Sequence, residues 1–543
     1  MADYKLRYYR PDGEKEEISF SPEGSFDFEY FKVEASACGD RNAVTVTAKA
    51  DVEMIKCTRR GVARAKVRDL CFINGYQSWT KTKEFFFSEK EWNVSKVPKP
   101  LLRKYAFDRY GDTTFFDYNS HILHGYDVFY VKSENGAFII NANVKNAYLI
   151  IIADRSTGEI SISNELDNLT LKAGESFTVS DYYQVNGYEK GLAKFNELYP
   201  KKPFEKILGY TSWYNYYQKI NEEIILRDLD ALDERFDLFQ IDDGYESFVG
   251  DWLEIDPVKF PNGLGEIVKK AHGRGYKAGI WLAPFVAQDK SRIFAEHPEW
   301  FEFANGEKLY CGSNWGGFYA LNLELPDVKA YIKKCLEYYV ELGFDFFKLD
   351  FLYASNLPAY KGKTRSMAAE EAYAFLREVL GDKIILGCGA TISNAAGKFD
   401  YMRIGPDVSL IFDDKWFMKF FHNERVSTKN TLQNTIYRSI FDGRFFGNDP
   451  DVFLLRDDNI ELSKEQKEAV LTLDALFGTV LMTSDNLADY DEEKKKTLAD
   501  ALYLRDHAKV TSFARKRSII TVEYEVDGEK KQFDYNTDKG VIL

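Results

Sequence analysis

Residues 344–353 read FDFFKLDFLY, an apolar run whose far end turns polar at Lys348 and Asp350. A strand that is apolar along its length and charged at its C-terminal end suits a parallel barrel, where strand ends meet at one mouth. Seven more segments have this make: LGYTSWYN (208–215), LFQIDDGY (238–245), KAGIWLAPF (277–285), FYALNLEL (318–325), KIILGCGA (383–390), FDYMRIGPD (399–407) and RFFGNDPDVFLL (444–455). Amphipathic stretches such as PDVKAYIKKCLEYYVELG (326–343) and AAEEAYAFLREVLG (368–381) stand between them. Eight strand–loop–helix units over about 290 residues fit a (β/α)8 barrel. A doubly wound open sheet is the competing fold, weakened by the lack of a GxGxxG loop.

On the N-terminal side the period changes to two. NAVTVTAKADVEMI (42–55), GAFIINANV (136–144), AYLIIIAD (147–154) and GEISISN (158–164) alternate between Asn/Asp/Gly breaks, the pattern of a large antiparallel β-sandwich. KGLAKFNELYPKKP (190–203) supplies a helix and a linker, and SIITVEYEVDGEKKQFDYN (518–536) alternates again. Three domains are expected: a sandwich over 1–200, the barrel over 201–504 and a small antiparallel β-domain over 505–543.

Composition narrows the function classes. The 543 residues carry 72 Lys+Arg against 86 Asp+Glu, a net charge of −14, which argues against nucleic acid and anionic lipid as partners. The six Cys form no CxxC pair and the six His no HExxH, so neither a disulfide framework nor a metal site is expected. The start, MADYKLRYYRPDGEKEE, is charged where a signal peptide is apolar, and no apolar run approaches the ~18 residues of a membrane span; a cytoplasmic protein is expected. With so few imidazoles, acid–base work falls to carboxylates.

The strand ends of a barrel converge, and here they carry Asp242, Asp243, Trp281, Lys348, Asp350, Cys388, Arg403, Asp407 and the Asn448–Asp449 pair. Any one of them reads equally well as a helix cap, a turn or a structural ion pair; their convergence is the signal. Lys348 and Asp350 are two apart and face the same side, so the ammonium is expected to hold the carboxyl low, as a nucleophile requires. Asp407 follows a Gly405–Pro406 break and can approach a bound sugar from the other face. Two carboxyls ~5–5.5 Å apart retain configuration and ~6.5–9.5 Å apart invert it. Asp242 and Asp243 suit vicinal hydroxyls, and Trp79, Trp213 and Trp281 offer flat faces for sugar C–H groups, although most aromatics of this chain (42 Phe, 35 Tyr, 8 Trp) must be core.

Six motifs in order, FQIDDGYE (239–246), GDWLEIDPVKFPNGL (250–264), GIWLAPF (279–285), FFKLDFLYA (346–354), ILGCGA (385–390) and MRIGPD (402–407), resemble glycoside hydrolase family 36, the melibiase-type α-galactosidases, in its shorter bacterial form. The similarity runs from NGYQSW near residue 74 to NDPDVFLLR near 456. It implies a β-supersandwich, a (β/α)8 barrel and a C-terminal β-domain. It also implies a retaining exo-α-galactosidase acting on oligosaccharides such as melibiose or raffinose, with no cofactor, as a monomer or small homo-oligomer. By motif, Asp350 resembles the nucleophile and Asp407 the acid/base. Asp242 and Asp243 resemble the residues that hold galactose O4 and O6, and Lys348, Cys388 and Arg403 those around O2 and O3. Trp213, Tyr214 and Trp281 resemble aromatic walls, and Trp79 the residue lent by the N-terminal domain. Thr211 stands where the family usually has Cys, and Tyr76 where a second Trp is common. ATISNAAG (390–397) also departs from the pattern and, if it borders O2, keeps α-N-acetylgalactosaminidase open. A galactosyl transferase of the raffinose-synthase type and a non-catalytic carbohydrate-binding protein stay open beside it.

Overall fold

The structure, a computed structural model, describes residues 3–89, 97–98, 100–102, 121–133, 136–358, 360–413 and 424–543. The N-terminal region forms two antiparallel sheets, of seven and eight strands, facing each other across one apolar layer. Period two does the sorting: in Arg41–Ala48 the residues Val44, Val46 and Ala48 point inward while their neighbours face out. The stretch 42–55, which reads as one alternating run, is in fact two strands in different sheets. Arg41–Ala48 pairs with Phe31–Cys38 and Ser176–Asn186, whereas Val52–Arg64 pairs with Tyr4–Tyr9 and Glu159–Glu165. The chain changes sheet at Lys49–Ala50–Asp51, polar and small residues that alternation alone does not flag.

Past the helix Tyr188–Leu198, parallel strands Ile207–Thr211, Leu238–Ile241, Lys277–Leu282, Phe346–Leu349, Ile384–Gly387, Tyr401–Arg403, Gly447–Asp449 and Val480–Thr483 follow one another around a sheet. The seventh is broken at Pro450. Its first part pairs with the sixth strand, and its second part, Val452–Phe453, pairs with the eighth. With the Thr479 N–H donating to the Asn448 carbonyl at 2.8 Å, that one segment closes the barrel. Phe346–Leu349 is buried at every position, as expected of a strand packed on both faces. Outer helices bury one stripe each: Val328, Ile332, Cys335, Leu336 and Tyr339 along Pro326–Glu341.

Two strand assignments change. FYALNLEL (318–325) is not a barrel strand: Phe318–Ala320 lies in a three-stranded antiparallel sheet with Val286–Gln288 and Tyr310–Gly312, inside a long excursion above the mouth. The eighth strand is instead Val480–Thr483, after the capped helix Lys464–Phe477. Lys348 therefore lies in the fourth strand and Asp350 just past it, Cys388 follows the fifth and Arg403 ends the sixth, each one place earlier than the sequence reading has it. Short apolar runs look alike whether they pair within a barrel or above it.

The last strands, Ala508–Lys516, Ile519–Val526, Glu529–Asn536 and Val541–Ile542, make a four-stranded antiparallel sheet whose Ile520, Val522 and Tyr535 join the barrel's apolar core. At the other end of the chain, a loop of the sandwich is locked into the barrel. Gln77 bridges to Thr391, Ser78 N–H donates to the Ala390 carbonyl at 2.9 Å, and Asn434 joins Thr82 N–H to the Thr80 carbonyl. Arg438, fully buried, donates to the carbonyls of Gln77, Ser78 and Ile404. Arg438→Met removes the donor from the buried carbonyls of Ser78 and Ile404, at about 1–3 kcal/mol for each group left unsatisfied, whereas that of Gln77 still accepts from Thr80. The expected result is a clear drop in the guanidinium unfolding midpoint, and an unchanged midpoint would show that the junction contributes nothing to stability.

Candidate active site

At the C-terminal end of the barrel strands lies a cavity of about 230 Å³. Of the residues singled out in the sequence, Trp79, Trp213, Asp242, Asp243, Trp281, Lys348, Asp350 and Asp407 line it. Tyr214, Cys388 and Arg403 do not. They are buried behind the wall and reach it by hydrogen bonds: the Cys388 thiol to Asp350, and Arg403 Nη2 to Asp407 Oδ1 at 2.9 Å and to the Tyr214 hydroxyl at 2.8 Å.

Each carboxyl has its own set of donors. Asp242 Oδ2 accepts from Lys348 Nζ at 2.8 Å, Gln240 Nε2 at 2.8 Å and Thr211 Oγ1 at 3.0 Å. Thr211, the departure from the family's Cys, thus serves Asp242. Asp243 accepts from Trp315 Nε1 at 2.8 Å and from Gln218. Burial raises Asp243, and burial together with the Asp243 charge raises its neighbour Glu246 well above the usual carboxyl range.

Asp350, just past the fourth strand, accepts from Trp281 Nε1 at 3.0 Å and from the Phe351 N–H at 2.8 Å. The expectation that Lys348 holds Asp350 low is not met. The ammonium is bonded to Asp242, and burial raises the Asp350 carboxyl against the pull of Lys348, Cys388 and Trp281. Asp350 is 8% exposed, whereas the Asp407 side chain is 40% exposed, so one carboxyl sits at the floor and the other at the rim.

Trp79 reaches the cavity from the sandwich and packs edge-on against Phe351 and Tyr353, with ring centroids 5.2 and 5.6 Å away. Gly389, at φ +59°, makes room for it, since a Cβ there would lie 3.0 Å from the indole. The segment 390–397 gives the cavity no lining residue; Thr391 and Asn394 are buried against Tyr373 and Ser366.

Sequence reading missed Trp315, Phe351, Tyr353 and Glu424 among the lining residues. Trp315 sits in Asn314–Gly316 at φ 55°, and Phe351 is also left-handed at φ 55°. Conformations this unfavourable for bulky residues persist where surrounding contacts enforce them, often at functional sites. The Ser313–Asn314–Trp315–Gly316–Gly317 run is the signal that could have pointed to this loop.

Residues 202–381 match the Melibiase family model. The α-galactosidase Mel36A of Lactobacillus acidophilus is 24% identical over 277 residues, 45% of this chain and 37% of that relative's length. An α-galactosidase of Escherichia coli is 26% identical over 171 residues, 30% of this chain and 24% of its own. The sequence matches thus span well under half of these curated relatives. In fold the agreement is broader. TtGalA, an α-galactosidase from Thermus thermophilus solved with p-nitrophenyl α-D-galactopyranoside, superposes with a TM-score of 0.72 over 93% of this chain and 98% of its own, at 22% identity. The GH36 α-galactosidase AgaA from Geobacillus stearothermophilus gives a TM-score of 0.59 over 99% and 87%, at 13% identity. In sequence over residues 202–381, and in fold along almost its whole length, the chain is similar to the melibiase-type α-galactosidases.

Proposed function

We propose that the chain is a retaining exo-α-galactosidase that removes terminal α-linked galactose from oligosaccharides of the melibiose or raffinose type. The observation that carries this reading is the meeting of Asp350 and Asp407 in one aromatic-walled cavity with the Asp242–Asp243 pair. In the proposed reaction Asp407, protonated, gives its proton to the glycosidic oxygen while an Asp350 oxygen attacks C1 and the C1–O bond breaks. Asp407 then takes a proton from water, which attacks C1 and releases Asp350 and α-galactose. Asp242 and Asp243, fixed by Lys348, Gln240 and Trp315, receive the hydroxyls of the sugar. Phe351 N–H and Trp281 Nε1 orient the nucleophile.

Asp350→Asn is expected to lower kcat/KM for p-nitrophenyl α-galactoside by about a thousandfold or more with the fold intact. Retention of a few per cent of activity would remove Asp350 from the role. For Asp407→Ala, added azide is expected to restore turnover by opening the β-galactosyl–enzyme ester in place of water and give α-galactosyl azide, and a β-azide would rule out double displacement through that ester. The unsubstituted protein, assayed on nitrophenyl α-galactoside against the α-N-acetylgalactosaminide and on raffinose with and without excess sugar acceptor, separates hydrolysis of galactosides from the other activities.

Because Asp350 must be ionised to attack, and burial raises it in the free protein, kcat/KM is expected to fall on the acid side at a pH above the ordinary aspartate value of about 3.9. Trp281→Phe removes a donor that favours the carboxylate. It should therefore move that acid limb to higher pH; a limb that stays or moves down contradicts the assignment.

A further inference from the structure

Asp451 lies behind the cavity wall, in the broken seventh strand just after Pro450, and is 4% exposed. It does not line the cavity. Its backbone is held at φ 96°, a conformation that suits glycine and that an aspartate adopts at a penalty. The side chain explains why this residue is not glycine. Oδ1 is 2.5 Å from Arg403 Nη2, and Oδ2 accepts from the Tyr214 hydroxyl at 2.5 Å and from the Val408 N–H at 2.7 Å. Every one of these neighbours donates; burial pushes the Asp451 carboxyl up to about 8, with Asp407 and Asp449 adding to the rise and Arg403 and Tyr214 opposing it.

Two of those bonds lead to Asp407. Arg403 Nη2, the atom that Asp451 grips, also donates to Asp407 Oδ1 at 2.9 Å. Val408, whose N–H Asp451 accepts, is the residue directly after Asp407. The carboxyl at the rim is thus held from its head through a guanidinium and from its backbone through the next peptide, and both holds end on Asp451.

We propose that Asp451 is the positioning residue of Asp407, fixing where that carboxyl stands and sharing the guanidinium charge that would otherwise fall on it alone. This rests on Asp407 being the acid/base of the reaction proposed above. Without Asp451, Asp407 becomes the main counter-ion of Arg403, a poor state for a group that must give up and take back a proton, and its loop loses an anchor.

A residue that acts through the general acid has a signature that a purely structural one lacks. Its loss matters for a poor leaving group, which needs protonation, and hardly at all for a good one. The test compares Asp451→Ala and Asp451→Asn with the unsubstituted protein on melibiose and on 2,4-dinitrophenyl α-galactoside, with thermal melting and calorimetric galactose binding as checks on folding. Asp451→Asn keeps the volume and removes the charge, so it carries the test if the alanine variant does not fold. The expected result is a loss in kcat/KM of about 100-fold on melibiose and within about threefold on the dinitrophenyl substrate. An equal loss on both substrates, or no loss on either, overturns the proposal while leaving the hydrolase reading standing. An unsubstituted protein that turns over neither substrate overturns the hydrolase reading itself, and the role of Asp451 with it.

Discussion

The barrel mouth has to keep a crowd of carboxyls out of water. A carboxylate taken from solvent without partners is costly by several kcal/mol, and it is tolerated only where donors meet its oxygens. Asp242, Asp243, Asp350 and Asp451 each meet this condition in a different way: an ammonium, two indoles, main-chain N–H groups and a guanidinium. Lys348, in the cavity wall, pairs with Asp242, and Arg403, buried behind it, pairs with Asp407 and Asp451. This division gives the site its polarity. The Lys348 side binds Asp242 firmly, and the Arg403 side shares one cation between Asp407 and Asp451.

The scaffold serves that arrangement. Parallel strands bring their ends to one plane, and the broken seventh strand closes the barrel while turning Asp451 back beneath the loop that bears Asp407. The excursion between the third and fourth strands carries Trp315 over Asp243. The sandwich contributes Trp79, and Arg438 ties its loop down from below.

Much of this could be read from residues alone, for identifiable reasons. Apolar runs with polar far ends located seven of the barrel strands, because burial on both faces leaves a compositional mark. The mark is silent on pairing, so Phe318–Ala320, an antiparallel strand above the mouth, passes for a barrel strand while Val480–Thr483 escapes notice. The residues that meet in the cavity are legible where strand periodicity or a family motif fixes their direction. Asp242, Asp243, Lys348 and Asp350 are of this kind. What is not legible is which partner a charge takes: spacing along one strand sets Lys348 beside Asp350, whereas the ammonium crosses to Asp242 on another strand. Asp451 is invisible for a related reason, since it depends on left-handed backbone that nothing in its sequence announces, whereas Trp315 has only the flanking Ser-Asn and Gly-Gly to mark its loop.

The loop at residues 74–82 has a consequence for how the molecule is made. The described strands of the sandwich all lie before residue 187, so that domain holds its own pairing partners as soon as it leaves the ribosome. Trp79 and its loop wait for theirs until Ala390, Thr391, Asn434 and Arg438 exist. At about 5–20 residues per second, the wait lasts roughly half a minute. During that time a loop rich in buried-to-be polar groups and one large indole stands open to water on a folded platform. This part of the cavity wall is thus synthesised well before the barrel residues that hold it and takes its place only after them.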